Sequence, residues 1–338
     1  MIASRSSSRE RVPREGRFGG TAVDRWTLGY SVVVAAVLVW RVPNERLPMF
    51  LAVHILLATL ALVMPRARRA GSVGRFLGDW YPLLLLTALY TEVGLVNLGD
   101  GRAFDRIVLG WEQALFGFQP AREWIRWSPS IWLSWVLHLG YLAYYPIIVA
   151  APLALWLTGQ REAMLRAMTT IMATFYLCYV AFLLFPVVGP RHVFPAADNA
   201  ATQTAIAQLT AQFLDHVAAW GAAFPSSHVA VSVAGTAAAL REWRALGLVL
   251  VAPTTLLALG SVYGQFHYAV DALSGIGVGA AAAAGAWLAS RQTAAAARHD
   301  TGHCNAPEPA VPSVDGPENL PNWTTRAASN RRRTSDRS

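Results

Sequence analysis

The chain contains no lysine and only two cysteines among its 338 residues. Cys178 falls in a long apolar run and Cys304 in a polar tail, so neither a disulfide framework nor a thiolate metal site is indicated. Charge is scarce as well. Only 14% of residues are charged against 54% hydrophobic, a balance that excludes an ordinary soluble domain. The net charge of +8 rests wholly on arginine, concentrated in tails and short loops. In a soluble protein that excess would point to nucleic acid. Between apolar spans it follows the positive-inside bias instead, and no nucleic-acid partner is expected. The missing lysine beside abundant Arg and Ala points to a GC-rich bacterial genome.

What the chain does have is apolar runs of the ~18–20 residues that cross a bilayer. They predict an all-α integral membrane protein, a polytopic helical bundle of about eight spans. The expected spans are 26–40, 47–64, 79–98, 130–157, 164–186, Ser226 to just before Arg241, 246–263, and His267 to Trp287. Residues 1–25 and 297–338 are rich in Ser, Arg, Gly, Pro and Asn and read as disordered cytoplasmic tails around a membrane domain at 26–296. No cleavable signal is evident. The tails and the 65–75, 158–166 and 241–245 loops are basic, whereas 99–129 is charge-balanced and 187–224 holds one arginine. Both termini are therefore expected in the cytoplasm, with Arg191, His228 and His267 together on the other side. Arg66, Arg68, Arg69 and Arg75 are the strongest topological marker.

Several polar residues interrupt the apolar runs. Glu92 lies within a span, where a carboxyl is costly; it reads either as a polar wall of a site or as a paired packing residue. His138 reads as a satisfied packing residue. The 99–129 stretch mixes Asp105, Arg106 and Glu112 with Trp111, Trp124 and Trp127, the pattern of an amphipathic segment in the interface. Such a segment serves either as an anchor or as a lipid entry. His192, Asp198, Asp215 and His216 share one loop, but their spacings match no familiar metal-ligand set, and no metal or cofactor is expected.

Two short stretches carry the chemistry. Phe224-Pro225-Ser226-Ser227-His228 reads as a helix start with Ser as N-cap, where unpaired N–H groups and the helix dipole suit a phosphate. Near the mouth of the last span stands His267-Tyr268-Ala269-Val270-Asp271. His267 and Asp271 are four apart, so on a helix they share one face about 6 Å apart along the axis. A carboxylate at that offset can fix the imidazole tautomer and leave the other nitrogen as a nucleophile. A second histidine, His228, could protonate a leaving oxygen.

These two stretches resemble the second and third signature motifs of the type 2 phosphatidic acid phosphatase (PAP2) superfamily. Ser261-Val262-Tyr263 ahead of His267-Tyr268 and Asp271 looks closest to the branch that includes inositol phosphorylceramide synthases. Phe185-Pro186-Val187-Val188-Gly189-Pro190-Arg191 resembles that branch's reduced first motif. The departures are from the better-known phosphatase pattern: Gly260 and Ser261 stand where it has Ser-Arg, Ser227 replaces a glycine, and the first-motif lysine is missing.

The resemblance implies a six-helix PAP2-like core with extra N-terminal spans, a lipid phosphate substrate and no cofactor. It also implies a phosphohistidine on His267, oriented by Asp271, with His228 as general acid. Arg191 becomes the candidate phosphate clamp, because a guanidinium binds phosphate oxygens bidentately. Ser226 and Ser227 would add hydroxyls. Tyr263 and Gln265 stand close enough to join the substrate-binding set, although Tyr263 and Tyr268 also read as interfacial packing. Water as acceptor gives a phosphatase, and an alcohol such as inositol gives a transferase. The opposing reading is a non-catalytic transporter or lipid-binding scaffold that keeps the fold.

Overall fold

A computed structural model describes residues 20–303, and their side chains as far as residue 292. The helices run α1 (Ala22–Arg41), α2 (Leu47–Ala67), α3 (Ser72–Leu84), α4 (Leu86–Asp100), α5 (Asp105–Phe116), α6 (Pro120–Trp127) and α7 (Ile131–Leu142). They continue through α8 (Tyr144–Leu157), α9 (Arg161–Leu184), α10 (Pro190–Val193), α11 (Ala205–Val217), α12 (Ser227–Glu242), α13 (Arg244–Tyr263) and α14 (Ala269–His303). Among the described residues no strand forms beyond an isolated bridge between Val187 and Ala222. The chain divides into one compact unit through Ser290 and a second from Arg291, of which only helical residues to His303 are described. The expected disordered tails lie mostly outside the described residues; where they overlap, residues 22–25 belong to α1 and 297–303 to α14.

Six segments are long and apolar enough to cross a membrane: α1, α2, α3 with α4, α9, α13 and residues Ala269–Gln292 of α14. A seventh is the pair α7 and α8, if that counts as one crossing. The protein is an all-helical integral membrane protein. Residues 130–157, expected as one long tilted span, bend by 43° between α7 and α8. Pro146 is the physical reason. It cannot donate to the carbonyl of Leu142, and its ring crowds that carbonyl, so the helix breaks at Ala143. The expected span after Ser226 is α12, 16 residues long.

α9 is the central helix, with 72% of its apolar window buried. It packs against α1, α4, α8 and α12, while α13 packs against α7 and α12. α14 lies unusually close to α12. A Cβ on Gly275 would stand 2.6 Å from the Ser226 carbonyl oxygen, and one on Gly279 would stand 2.2 Å from that of Ala230. Small residues four apart thus let the two backbones touch. Gly277 itself faces open space.

Buried charge holds the N-terminal helices. Arg68, read from sequence as one of four loop charges, is 9% exposed and bonds Asp24 at 2.6 and 2.9 Å and Asp79 at 3.0 Å. It also bonds the Gly78 carbonyl, which Pro82 four residues on leaves without a helical donor. Arg161, opening α9, adds two 2.7 Å bonds to Asp79. At the other end, Arg41 pairs with Asp100 and Asn97. Within the spans, Glu92 lies 3.2 Å from His54. His138 turns Nδ1 onto the Ser134 carbonyl at 2.8 Å and is 4% exposed.

Candidate active site

α13 stops in a turn that sets the first histidine. The Gln265 amide returns to the Val262 carbonyl at 3.1 Å and the Phe266 amide to that of Ser261 at 3.0 Å, the Schellman pattern of bonds. Gln265 takes the left-handed conformation at φ 60°, a position where glycine is the usual residue. The His267 amide also reaches the Ser261 carbonyl, at 2.9 Å. α14 starts only at Ala269. His267 is therefore in the connecting turn, and the expectation that it shares a helix face with Asp271 is corrected accordingly.

A different pairing fixes the imidazole. His267 Nδ1 donates to the Ala223 carbonyl at 3.0 Å, and a carbonyl can only accept, so Nε2 keeps its lone pair. Asp271 Oδ2 lies farther from Nδ1, at 3.6 Å, and accepts the Tyr268 amide at 2.8 Å. The carboxylate thus braces the turn while standing beside the ring. Burial pushes the His267 pKa down to about 4, with the Ala223 bond pulling the other way, so the ring is neutral near pH 7.

The second histidine comes from α12. Ser226 is its N-cap, with Oγ accepting the Val229 amide at 3.4 Å, while the Ser226 amide donates to the Asp271 carbonyl at 3.0 Å. The His228 ring centroid is 5.7 Å from that of His267 and packs on Tyr144 at 4.4 Å and Tyr141 at 5.3 Å. Its Nδ1 has no hydrogen-bond partner among the described residues.

The cation arrives on the loop after α9. The Val187–Ala222 bridge ties that loop to the approach of α12, and Arg191 follows in α10, paired with Asp215 of α11. Arg191, His228 and His267 line one pocket, together with Tyr90, Tyr141 and His192. Of the other predicted site residues, Asp271 stands behind His267, and Ser226 and Ser227 are buried in the α12 cap; none of the three lines the pocket. Gln265 accepts the Ala197 amide at 3.4 Å, away from it. Tyr263 bonds the Ser128 carbonyl at 2.8 Å and packs on Trp124. Glu92 is likewise absent from the lining.

Two carboxylates of α5 belong to this neighbourhood and were missed as site residues. Asp105 accepts the Val188 and Gly189 amides, each at 2.9 Å, and the Tyr268 hydroxyl at 3.0 Å. Glu112 accepts the Ala269 amide at 3.2 Å, at the start of α14. Burial first, and then the nearby Asp271 charge, raise the Glu112 pKa to about 7. The signal available was their spacing. Seven residues apart, they share one helix face with Val108 between them.

A family model described as the PAP2 superfamily matches residues 106–285, more than half of the chain. The chain belongs to the PAP2 superfamily. No curated protein and no solved structure matches it. The PAP2 segment includes Arg191, His228, His267 and Asp271 and begins one residue after Asp105. α1 to α4 precede it. One departure from the better-known PAP2 pattern has a steric reason: a Cβ on Gly260 would stand 2.1 Å from the Leu137 carbonyl oxygen, so no side chain fits there.

Proposed function

We propose that this PAP2 protein moves a phosphoryl group from a lipid phosphate through a phosphohistidine on His267, at the extracytoplasmic face of a bacterial cell membrane. The observation that carries this reading is the His267 ring. Its Nδ1 is committed to the Ala223 carbonyl, and its Nε2 lone pair remains in a pocket shared with Arg191 and His228. Arg191 takes the phosphate oxygens in place of Asp215. Nε2 attacks phosphorus in line, a P–N bond forms, and the P–O bond to the lipid alkoxide breaks as His228, entering as the imidazolium beside the bound phosphate anion, supplies that oxygen with a proton. The acceptor then yields a proton to His228 and attacks phosphorus, the P–N bond breaks, and His267 is restored.

Water as acceptor releases inorganic phosphate. The short first motif and the glycine at position 260 support the inositol phosphorylceramide synthase-like branch, in which an alcohol takes the group instead. The outward-facing assignment is supported by the arginines of the opposite end, among them Arg25, Arg68, Arg161, Arg166 and Arg241.

The test is phosphate release by the purified chain in detergent from phosphatidate, polyprenyl phosphate and polyprenyl diphosphate, with and without inositol, beside His267→Ala. Release or transfer that vanishes in the variant is the expected result. Turnover retained in His267→Ala rejects the mechanism.

A further inference from the structure

We infer that Asp105 is a positioning residue that locks the phosphate-clamp loop to the loop of the nucleophile. The inference rests on the phosphohistidine reading above and extends it to a residue outside the three motifs and outside the family match. Arg191 and His267 come from separate loops, and their shared use of one phosphate requires those loops to keep a fixed spacing. Asp105 touches both. Its two oxygens take the consecutive amides of Val188 and Gly189, immediately ahead of Pro190-Arg191, and Oδ1 also takes the hydroxyl of Tyr268, the residue after His267.

The junction is buried. Asp105 is 7% exposed and Tyr268 is fully buried. Burial and the adjacent Asp105 carboxylate raise the Tyr268 pKa, so its hydroxyl stays a donor. Charge-assisted bonds of this kind are stronger and more directional than neutral ones. α5 is itself anchored on either side of the carboxylate. The Phe104 amide donates to the Pro186 carbonyl at 2.9 Å, and Glu112 holds the first amide of α14. One helix face thus grips the strand of chain leading to Arg191 and the one leaving His267.

A positioning role has a signature that a merely structural one lacks. Orthovanadate, adopting the five-coordinate geometry of phosphoryl transfer, needs the clamp and the nucleophile together, whereas inorganic phosphate needs chiefly the clamp. Affinities of both anions for the full-length chain in detergent would be read from ligand-induced thermal shifts. The proteins compared are the wild type, His267→Ala, Asp105→Ala, Asp105→Asn, Tyr268→Phe and the Asp105→Asn/Tyr268→Phe pair.

Asp105→Ala is expected to weaken vanadate by about tenfold or more and phosphate by much less, and Tyr268→Phe to weaken vanadate by roughly threefold. The double variant should lose no more than Asp105→Asn alone, because the two groups act through one bond. Asp105→Asn keeps one acceptor oxygen but sets an amide donor against a backbone donor, so it tests the junction even if the alanine variant fails to fold. Folded Asp105 and Tyr268 variants with wild-type vanadate affinity, or equal losses for both anions, overturn the inference while His267→Ala has lost vanadate. If the wild type binds no vanadate, or His267→Ala binds it as the wild type does, the phosphohistidine reading itself fails.

Discussion

The carboxylates beside the pocket and those at the far end of the bundle are used differently. At the end away from the pocket, acids meet guanidiniums: Asp24 and Asp79 hold Arg68, Asp79 also holds Arg161, and Glu242 holds Arg166 at 2.6 and 2.9 Å. At the pocket end Asp100 still pairs with Arg41, but the carboxylates nearest the pocket, Asp105, Glu112 and Asp271, each accept backbone amides instead. Arg191, the cation on the pocket there, has only the largely exposed Asp215 against it. Charges that neutralise one another stabilise helix contacts but leave nothing for a ligand. Carboxylates bound to backbone fix loop geometry and leave the guanidinium exchangeable. The difference separates an end built for cohesion from an end built for anion chemistry.

Several substitutions would break or sharpen that contrast. The largest effect on folding is expected from Arg68→Ala, which leaves Asp24 and Asp79 short of their buried partner. It should cost about 3–5 kcal/mol of stability, seen as a lower thermal midpoint in detergent, while any folded fraction keeps the wild-type pH profile. Arg191→Ala should do the reverse. Its midpoint should move little, but kcat/KM should fall by about ten- to a hundredfold, as loss of a hydrogen bond between charged groups implies; wild-type kinetics would reject Arg191 as the clamp.

Next comes the acid limb. A nucleophile buried with a pKa of about 4 stays neutral down to that pH, so kcat/KM limited by His267 should fall only below about pH 4. A limb near 6.5 in the pH–rate profile would mean that His267 is solvated in the working enzyme. The smallest effect belongs to Glu112. Its pKa rises from 4.5 to about 7 on folding, so the folded state holds the extra proton between those values and loses stability as pH rises through them. Glu112→Gln should remove that loss. The difference between variant and wild-type unfolding midpoints should therefore grow from pH 5 to pH 8.

The motifs were legible because phosphoryl chemistry demands particular side chains at helix mouths, and the spans because bilayer thickness demands particular lengths. Other features were hidden by the solvent assumed. On α5 the large apolar residues Ile107, Trp111 and Leu115 are exposed, beside Arg106 and Gln113, and the buried ones are Asp105, Val108 and Glu112. An amphipathic pattern shows that a helix has two faces without saying which of them meets lipid, and here the acidic face is the inner one. Arg68 was obscured in the same way, since a loop arginine is a topological count until its acidic partners from α1 and α3 arrive. The bend at Ala143 was visible in principle through Pro146, but a run of apolar residues conceals a break that leaves its composition unchanged. His267 was misplaced by two residues because an i, i+4 spacing is equally served by a turn running into a helix.

The close approach of α14 to α12 has a mechanical consequence. Helices spaced by side chains can settle by fractions of an ångström when a rotamer changes. These two are gauged by main chain against main chain at Gly275 and Gly279, with no compliant layer between them. His228 and the turn bearing His267 stand at the ends of that gauge, so their separation is a fixed tolerance of the fold. Variation in the size of the group being transferred then has to be absorbed across the pocket on the side of α11, where Asp215 meets Arg191 by side chain alone and can yield.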